Sequence, residues 1–378
     1  MAIYFDNNST TRLDPRVFEA MQPYLQGPYG NPSSLHRYGR AARDAVEAAR
    51  AQVAVLAGAQ AAEVIWTSGG TEADNFAVKG AAASAAKPTR MLYGATEHAA
   101  VLESVQSLRG QGWAVDAIVM RQDGLIDAEG FAAQLAQGPL RLVALMRANN
   151  ETGVIQDLAR VADAIHAQDA WLLVDAVQTA GKIPLDFVAL NADLLSLSAH
   201  KLHGPRGIGA LIKRAEVELT PLHHGGGQEQ GLRGGTENVA AIVGFGVAAE
   251  LAVQGRGTRA AQMLTLRRRF EAGLHALSGT RIFAEATPRL PNTVQFALPG
   301  YVGEALLMAL DLKGIAVSSG SACHSGSGEP SHVLLGMGVA RDVAFGAIRV
   351  SFSAENTEAE VDRVLAVLTV LHAEAMAV

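Results

Sequence analysis

The chain has 378 residues, 49% of them hydrophobic and 18% charged, with a formal net charge of −6. That balance excludes intrinsic disorder and implies a globular protein with one large core and a smaller one, or two of similar size. With no basic block beyond the short LRRRF at 266–270, nucleic acid is not an expected partner.

The N-terminal MAIYFDNNSTT carries neither a basic nor an apolar leader pattern, and no uninterrupted apolar run of about 18 residues occurs. The chain therefore reads as cytoplasmic, with no membrane partner. From about residue 45 to 212 short apolar runs alternate with amphipathic stretches. EVIWTS (63–68), RMLYGA (90–95), AVDAIV (114–119), LRLVALM (140–146), WLLVDA (171–176), DLLSLS (193–198) and GIGALI (207–212) predict strands. TEADNFAVKGAAASAA (71–86) and DLARVADAIHAQDA (157–170) predict helices between them. The rhythm predicts an α/β fold, a mainly parallel sheet flanked by helices, whose ligands gather at the carboxyl ends of the strands.

After the glycine-rich HHGGGQEQGLRGGTEN (223–238) a helical pattern runs from about 239 to 277, and the domain boundary is placed inside it, near 255. A large domain of 16–255 is expected, followed by a smaller α+β C-terminal domain of 256–378. The latter holds TVQFAL (293–298), GEALLMALDLKG (303–314), AIRVSF (347–352) and TEAEVDRVLAVLTVLHAEA (357–375).

Lys201 in SLSAHKLHGPRGIG (196–209) leaves a predicted strand end together with Ser198 and His200, while Asp175 closes the strand before. A lone lysine in a loop is usually a solvated surface residue. This one has the neighbours that pyridoxal phosphate (PLP) most needs: a lysine for a Schiff base and an acid that keeps the pyridine nitrogen protonated. TSGGTEADN (67–75) puts Gly70 and Thr71 at a strand-to-helix turn, where backbone N–H groups bind phosphate. The turn is neither a Walker A loop nor a GxGxxG fingerprint. His98 in ATEHAAV either caps a helix or stacks on a cofactor ring and moves protons. Asn150 in RANNETG and Gln178 in VDAVQTAG are turn residues or hydrogen-bonding partners of the ring.

The only cysteine, Cys323, lies in SSGSACHSGSGEP (318–330). One cysteine excludes an internal disulfide, and CxxC-type zinc spacing is absent, so no metal site is expected. A thiol among serines and glycines is either part of a plain linker or the working end of a tether. About 12 such residues have an r.m.s. span of roughly 17–21 Å.

SGGTEADN, TEH, NNETGVIQD, VDAVQTAGKIPLD, SLSAHKLHGPRGIGAL, HHGGGQEQGLRGGTEN, LPNTVQFAL and SSGSACHSGSGEPSHVL occur in this order and resemble the NifS/IscS-type cysteine desulfurases. These are PLP enzymes of aminotransferase class V and fold type I. The resemblance runs from YFDNNSTT (4–11) to about residue 370, and it implies an N-terminal arm, 1–15, packing on the small domain. It implies that Lys201 holds PLP, that Asp175 pairs with the pyridinium nitrogen, and that His98 stacks on the ring. Gln178 and Asn150 would lie near the phenolic oxygen, and Gly70, Thr71, Ser198 and His200 would hold the phosphate. Thr236 would reach the phosphate of the other subunit in a homodimer. Arg349 would grip the substrate carboxylate by a bidentate pair, with Asn31 nearby.

The implied reaction takes L-cysteine to L-alanine. Lys201 removes the α-proton, the Cys323 thiolate attacks the substrate sulfur, and the persulfide passes to an acceptor or scaffold protein serving iron–sulfur or thio-cofactor synthesis. Cys323 would at most ligate a cluster iron transiently with such a partner. Arg147 departs from the family pattern, which has histidine there, and leaves the contacts beside Asn149–Asn150 open. RGGTEN is nearer to the NifS branch than to the housekeeping RSGTLP. A selenocysteine lyase shares nearly the same site. Another class V enzyme, such as an aminotransferase, has no use for a loop thiol, and a non-catalytic sulfur carrier leaves Lys201 and Asp175 unexplained.

Overall fold

The computed structural model describes residues 2–27, 29–319 and 329–377. After a two-residue strand, β1 (Ile3–Tyr4), the chain builds a seven-stranded sheet from β2 (Val64–Thr67), β3 (Arg90–Gly94), β4 (Ala114–Ile118), β5 (Leu140–Met146), β6 (Trp171–Asp175), β7 (Leu194–Ser198) and β8 (Gly209–Lys213). The strand order is β2-β8-β7-β6-β5-β3-β4, and only β8 runs against the rest. Alternate residues of the central strands feed opposite faces. Val143, Leu145, Leu172, Val174, Leu195 and Leu197 join one apolar cluster, and Leu142, Ala144, Leu173 and Leu194 join the other. Burial on both faces is why these strands read as unbroken apolar runs. Each such valine or leucine contributes about 1.5–3 kcal/mol.

The helical pattern of 239–277 forms two helices rather than one. Val239–Gln254 and Arg256–His275 meet at Gly255 with a bend of 73°. Arg259 folds back over the break and donates to the Ala252 carbonyl, and a Cβ at Gly255 would collide with its guanidinium. No single described helix is long and apolar enough to cross a membrane.

Beyond the bend, β9 (Arg281–Ile282), β10 (Thr293–Ala297), β11 (Ile315–Ala316), β12 (Ser318–Ser319) and β13 (Ala347–Ser351) follow. A four-stranded antiparallel sheet has the order β12-β13-β10-β9, while β11 pairs in parallel with β1. Phe270, Phe296 and Phe352 pack edge to face in its core, and Ile3 and Phe5 from the chain start belong to the same cluster. A bridge from Asp6 to Ser351 then leads residues 7–11 towards the carboxyl ends of the large sheet.

The glycine-rich segment 223–238 is held by a buried ion pair. Arg50 makes two bonds of 2.8 Å to Glu229, whose carboxylate also accepts from the Trp66 amide at 2.9 Å. Glu229 and Gln230 have φ of 48° and 60°, left-handed backbone that the ion pair helps to fix. Without Glu229 the buried Arg50 keeps only the exposed Glu47 carboxylate at 3.1 Å and the Val64 carbonyl, and the Trp66 amide loses its acceptor. Glu229→Ala is therefore expected to cost about 3 kcal/mol in urea unfolding, the lower end for a broken buried pair. A loss under about 1 kcal/mol would contradict the assigned anchoring role.

Candidate active site

Five strand ends converge on one pocket. Asp175 is the last residue of β6 and Ser198 the last of β7, and His200 and Lys201 lie in the single helical turn that follows. Gly70 and Thr71 open the helix after β2, His98 precedes the helix after β3, and Asn150 turns the chain after β5. All of these, with Gln178 and with Arg349 of β13, line the same pocket. The in-register pairing of β5, β6 and β7 aligns these side chains, since Met146 pairs with Asp175 and Asp175 with Ser196.

Lys201 Nζ donates to the Asn8 carbonyl at 2.6 Å and to the Ser9 carbonyl at 2.7 Å. Asp175 is buried and accepts from the Val177 amide at 2.9 Å. Burial raises its carboxyl, while that amide and the Lys201 charge oppose the rise. Asp74, facing it from the helix after β2, is pushed well above the usual carboxylate range by burial and then by Asp175.

His98 both caps and lines the site. Its Nδ1 accepts from the Ala100 amide at 3.1 Å, which puts the proton of the neutral ring on Nε2. Burial, then the Lys201 charge, pushes His98 down to about 4, and the same two causes push His200 to about 4. Both rings are therefore neutral near pH 7.

Arg349 is buried, with Nη2 2.6 Å from Asp6 and 2.7 Å from Ser9 Oγ and with Nη1 3.0 Å from the Asn150 carbonyl. Asn31 and Thr236 are exposed, and neither lines this pocket. Arg147 meets the site through its backbone: its amide donates to the Asp175 carbonyl at 2.8 Å, and its side chain is not among those lining the pocket. Cys323 lies outside the described residues. The described residues on either side of it are tied to pocket elements. Ser318 pairs with Arg349, Ser331 donates to Glu151 beside Asn150, and His332 Nε2 lies 2.8 Å from the Glu97 carbonyl beside His98.

Sequence reasoning missed Asn8, Asp74 and Lys182. Asn8 stands within YFDNNSTT, a motif quoted for its resemblance but given no role, and Lys182 looks like any loop lysine in AGKIPLD. Asn149 proves to be a turn organiser, its Oδ1 accepting from the Glu151 and Thr152 amides at 2.9 Å, which leaves Asn150 to the pocket.

The donor set suits a flat, phosphorylated cofactor with a ring nitrogen. A helix of 14 residues starts at Gly70, where a Cβ would lie 2.8 Å from Val177 Cγ2, so only glycine brings that backbone close. Among the described residues that line the pocket, Asn150 Oδ1 and Arg349 Nε are buried without a hydrogen-bond partner. Such orphans are costly in a finished core, and at a binding site they await a ligand.

A mainly parallel sheet with a lysine and a carboxylate at adjacent strand ends is the architecture of the fold-type-I PLP enzymes. The chain belongs to the aminotransferase class-V family, which matches residues 3–364. It is 47% identical over 369 residues to a cysteine desulfurase of Cereibacter sphaeroides, covering 97% of this chain and 94% of that one. Among solved structures, a NifS-like protein superposes with a TM-score of 0.91 at 40% identity over 98% of this chain and 99% of that one. SspA in complex with cysteine gives 0.82 at 32% identity over 94% of this chain and 100% of that one.

Between pH 6.5 and about 4 the folded chain binds fewer protons at His98 and His200 than the unfolded chain does. Their contribution is intact above pH 6.5 and is lost as pH falls towards 4. Urea unfolding at pH 8 and pH 5 is expected to show a larger loss for the wild type than for the His98→Gln/His200→Gln double variant. Equal losses would contradict the depressed values.

Proposed function

We propose that the chain is a cytoplasmic, PLP-dependent cysteine desulfurase that converts L-cysteine to L-alanine and leaves the sulfur on Cys323 as a persulfide. The observation that carries this reading is the meeting of Lys201, Asp175, His98 and the Gly70–Thr71 helix start in one pocket. Family membership and the two cysteine-linked relatives support it.

In this reading Lys201 holds the cofactor, Asp175 keeps the ring nitrogen protonated, and Gly70, Thr71, Ser198 and His200 hold the phosphate. His98, a neutral imidazole, would face the ring, and Gln178 and Asn150 would serve its phenolic oxygen. PLP supplies the electron sink that makes the substrate α-proton acidic. Lys201 Nζ takes that proton, for which the amine must be neutral, and the neighbouring carboxylates and carbonyls set when it is. The substrate carboxylate replaces or joins Asp6 on Arg349. At Cys323 an S–S bond forms as the substrate C–S bond breaks, and the electron pair of that bond stays with carbon.

Residues 16–255 form the cofactor domain in this assignment and 256–378 the domain carrying the Cys323 segment, with 1–15 as an arm across both. Asn31 and Thr236, exposed in one protomer, are assigned to a homodimer in which Thr236 completes the phosphate site of the second copy. The persulfide passes to an acceptor protein.

Cys323→Ala is expected to retain the visible colour of the PLP-loaded protein and lose sulfide release from L-cysteine. Lys201→Ala is expected to lose that colour and to form alanine at least about 10²-fold more slowly. Undiminished sulfide production by Cys323→Ala would refute the persulfide route.

A further inference from the structure

We propose that Lys182 is a positioning residue for this reaction: it holds the oxygen of the Gln178 amide away from the pocket, so that the amide nitrogen serves the cofactor. The inference rests on the reading above, in which Gln178 lies at the phenolic oxygen of PLP.

Lys182 is 6% exposed, four residues after Gln178, and is not among the residues lining the pocket. Its Nζ donates to Gln178 Oε1 at 2.6 Å and to Asn8 Oδ1 at 3.0 Å. The identity of both oxygens is fixed from their far ends. Gln178 Nε2 lies 2.9 Å from the Asn8 backbone oxygen, and Asn8 Nδ2 lies 3.0 Å from the Asn150 backbone oxygen. A carbonyl only accepts, so each amide must present nitrogen there and oxygen to Lys182.

A lysine amine has at least two N–H bonds in either protonation state, enough for both oxygens. Burial, and then the charges of Lys201 from the turn after β7 and Arg349 from β13, push it well below the ordinary lysine value. Gln178 and Asn8, its two bonded partners, are neutral. A lysine this deep is expensive to keep. It touches Gln178, and Gln178 shares the Asn8 carbonyl with Lys201. With one amide hydrogen on that carbonyl, Gln178 has its second left for the pocket it lines.

The test compares the pH titration of the visible band in PLP-loaded wild type, Lys182→Met, Gln178→Ala and the double variant, with urea stability followed in parallel. A hydrogen bond donated to the phenolic oxygen favours its anion, and losing the bond makes the proton shared with Lys201 Nζ persist to higher pH. Lys182→Met and Gln178→Ala are each expected to raise the midpoint by about one unit, the scale of one hydrogen bond to a charged oxygen. The double variant is expected to go no further, because both act through one amide.

A Lys182→Met midpoint equal to that of the wild type, or full additivity in the double variant, overturns the proposal. Should Lys182→Met not fold, Lys182→Gln replaces it. Its amide still donates to Gln178, so the wild-type midpoint is expected, and a shift as large as that of Gln178→Ala overturns the proposal. A wild type that takes up no PLP defeats the cofactor reading itself and this inference with it, and is distinct from equal midpoints in coloured proteins.

Discussion

Asn8 engages every polar group it has, and each bond reaches a different part of the site. Its backbone oxygen accepts from Lys201 and Gln178, and its side-chain oxygen accepts from Lys182 and Asn292. Its side-chain nitrogen donates to the Asn150 carbonyl and Thr293 Oγ1, and its backbone amide to Ser351 Oγ. One residue of the chain start thus joins the ends of β6 and β7 to β10 and β13 of the smaller sheet. At 1% exposure each of these groups would be costly to leave unpaired, so the network specifies one arrangement of the two sheets.

The same arm carries Asp6 to Arg349. There the buried guanidinium holds the Asp6 carboxylate at 2.6 Å. Around it the pocket sorts its titratable groups by environment. The imidazoles of His98 and His200 are kept neutral, Asp74 is pushed well towards its protonated form by burial and Asp175, and Asp175 is raised by burial against the opposing Val177 amide and Lys201 charge. Groups driven apart in this way take separate roles in proton transfer.

The large sheet was legible because both faces of its inner strands are buried, which turns them into apolar runs while the edge strand β4 mixes exposed and buried residues, and the pocket residues were legible because they sit where those runs stop. Asp175 and Ser198 end their strands as their sequence context implied. The two-residue strands β1, β9, β11 and β12 are too short to leave a period. The break at Gly255 was hidden because the residues on either side both favour helix, and the bend is set by Arg259 and by packing. Asn8 and Lys182 were silent for a different reason. Lys182 meets Gln178 locally, but its second partner Asn8, and Asn8's own partners Thr293 and Ser351, lie far along the chain, and no local pattern encodes such a meeting. Thr236 is exposed and lines no part of this pocket, so the fold of the chain gives it no visible role.

In the proposed reaction the pocket around Lys201 drives sulfur onto Cys323. The direct measurement is a single turnover of the PLP-loaded protein with one equivalent of L-cysteine, followed by mass analysis of the peptide containing Cys323. This peptide is expected to gain one sulfur atom in step with the L-alanine formed, and Lys201→Ala is expected to yield neither. Alanine formed without sulfur on Cys323, or sulfur on Cys323 in the Lys201→Ala protein, would contradict it.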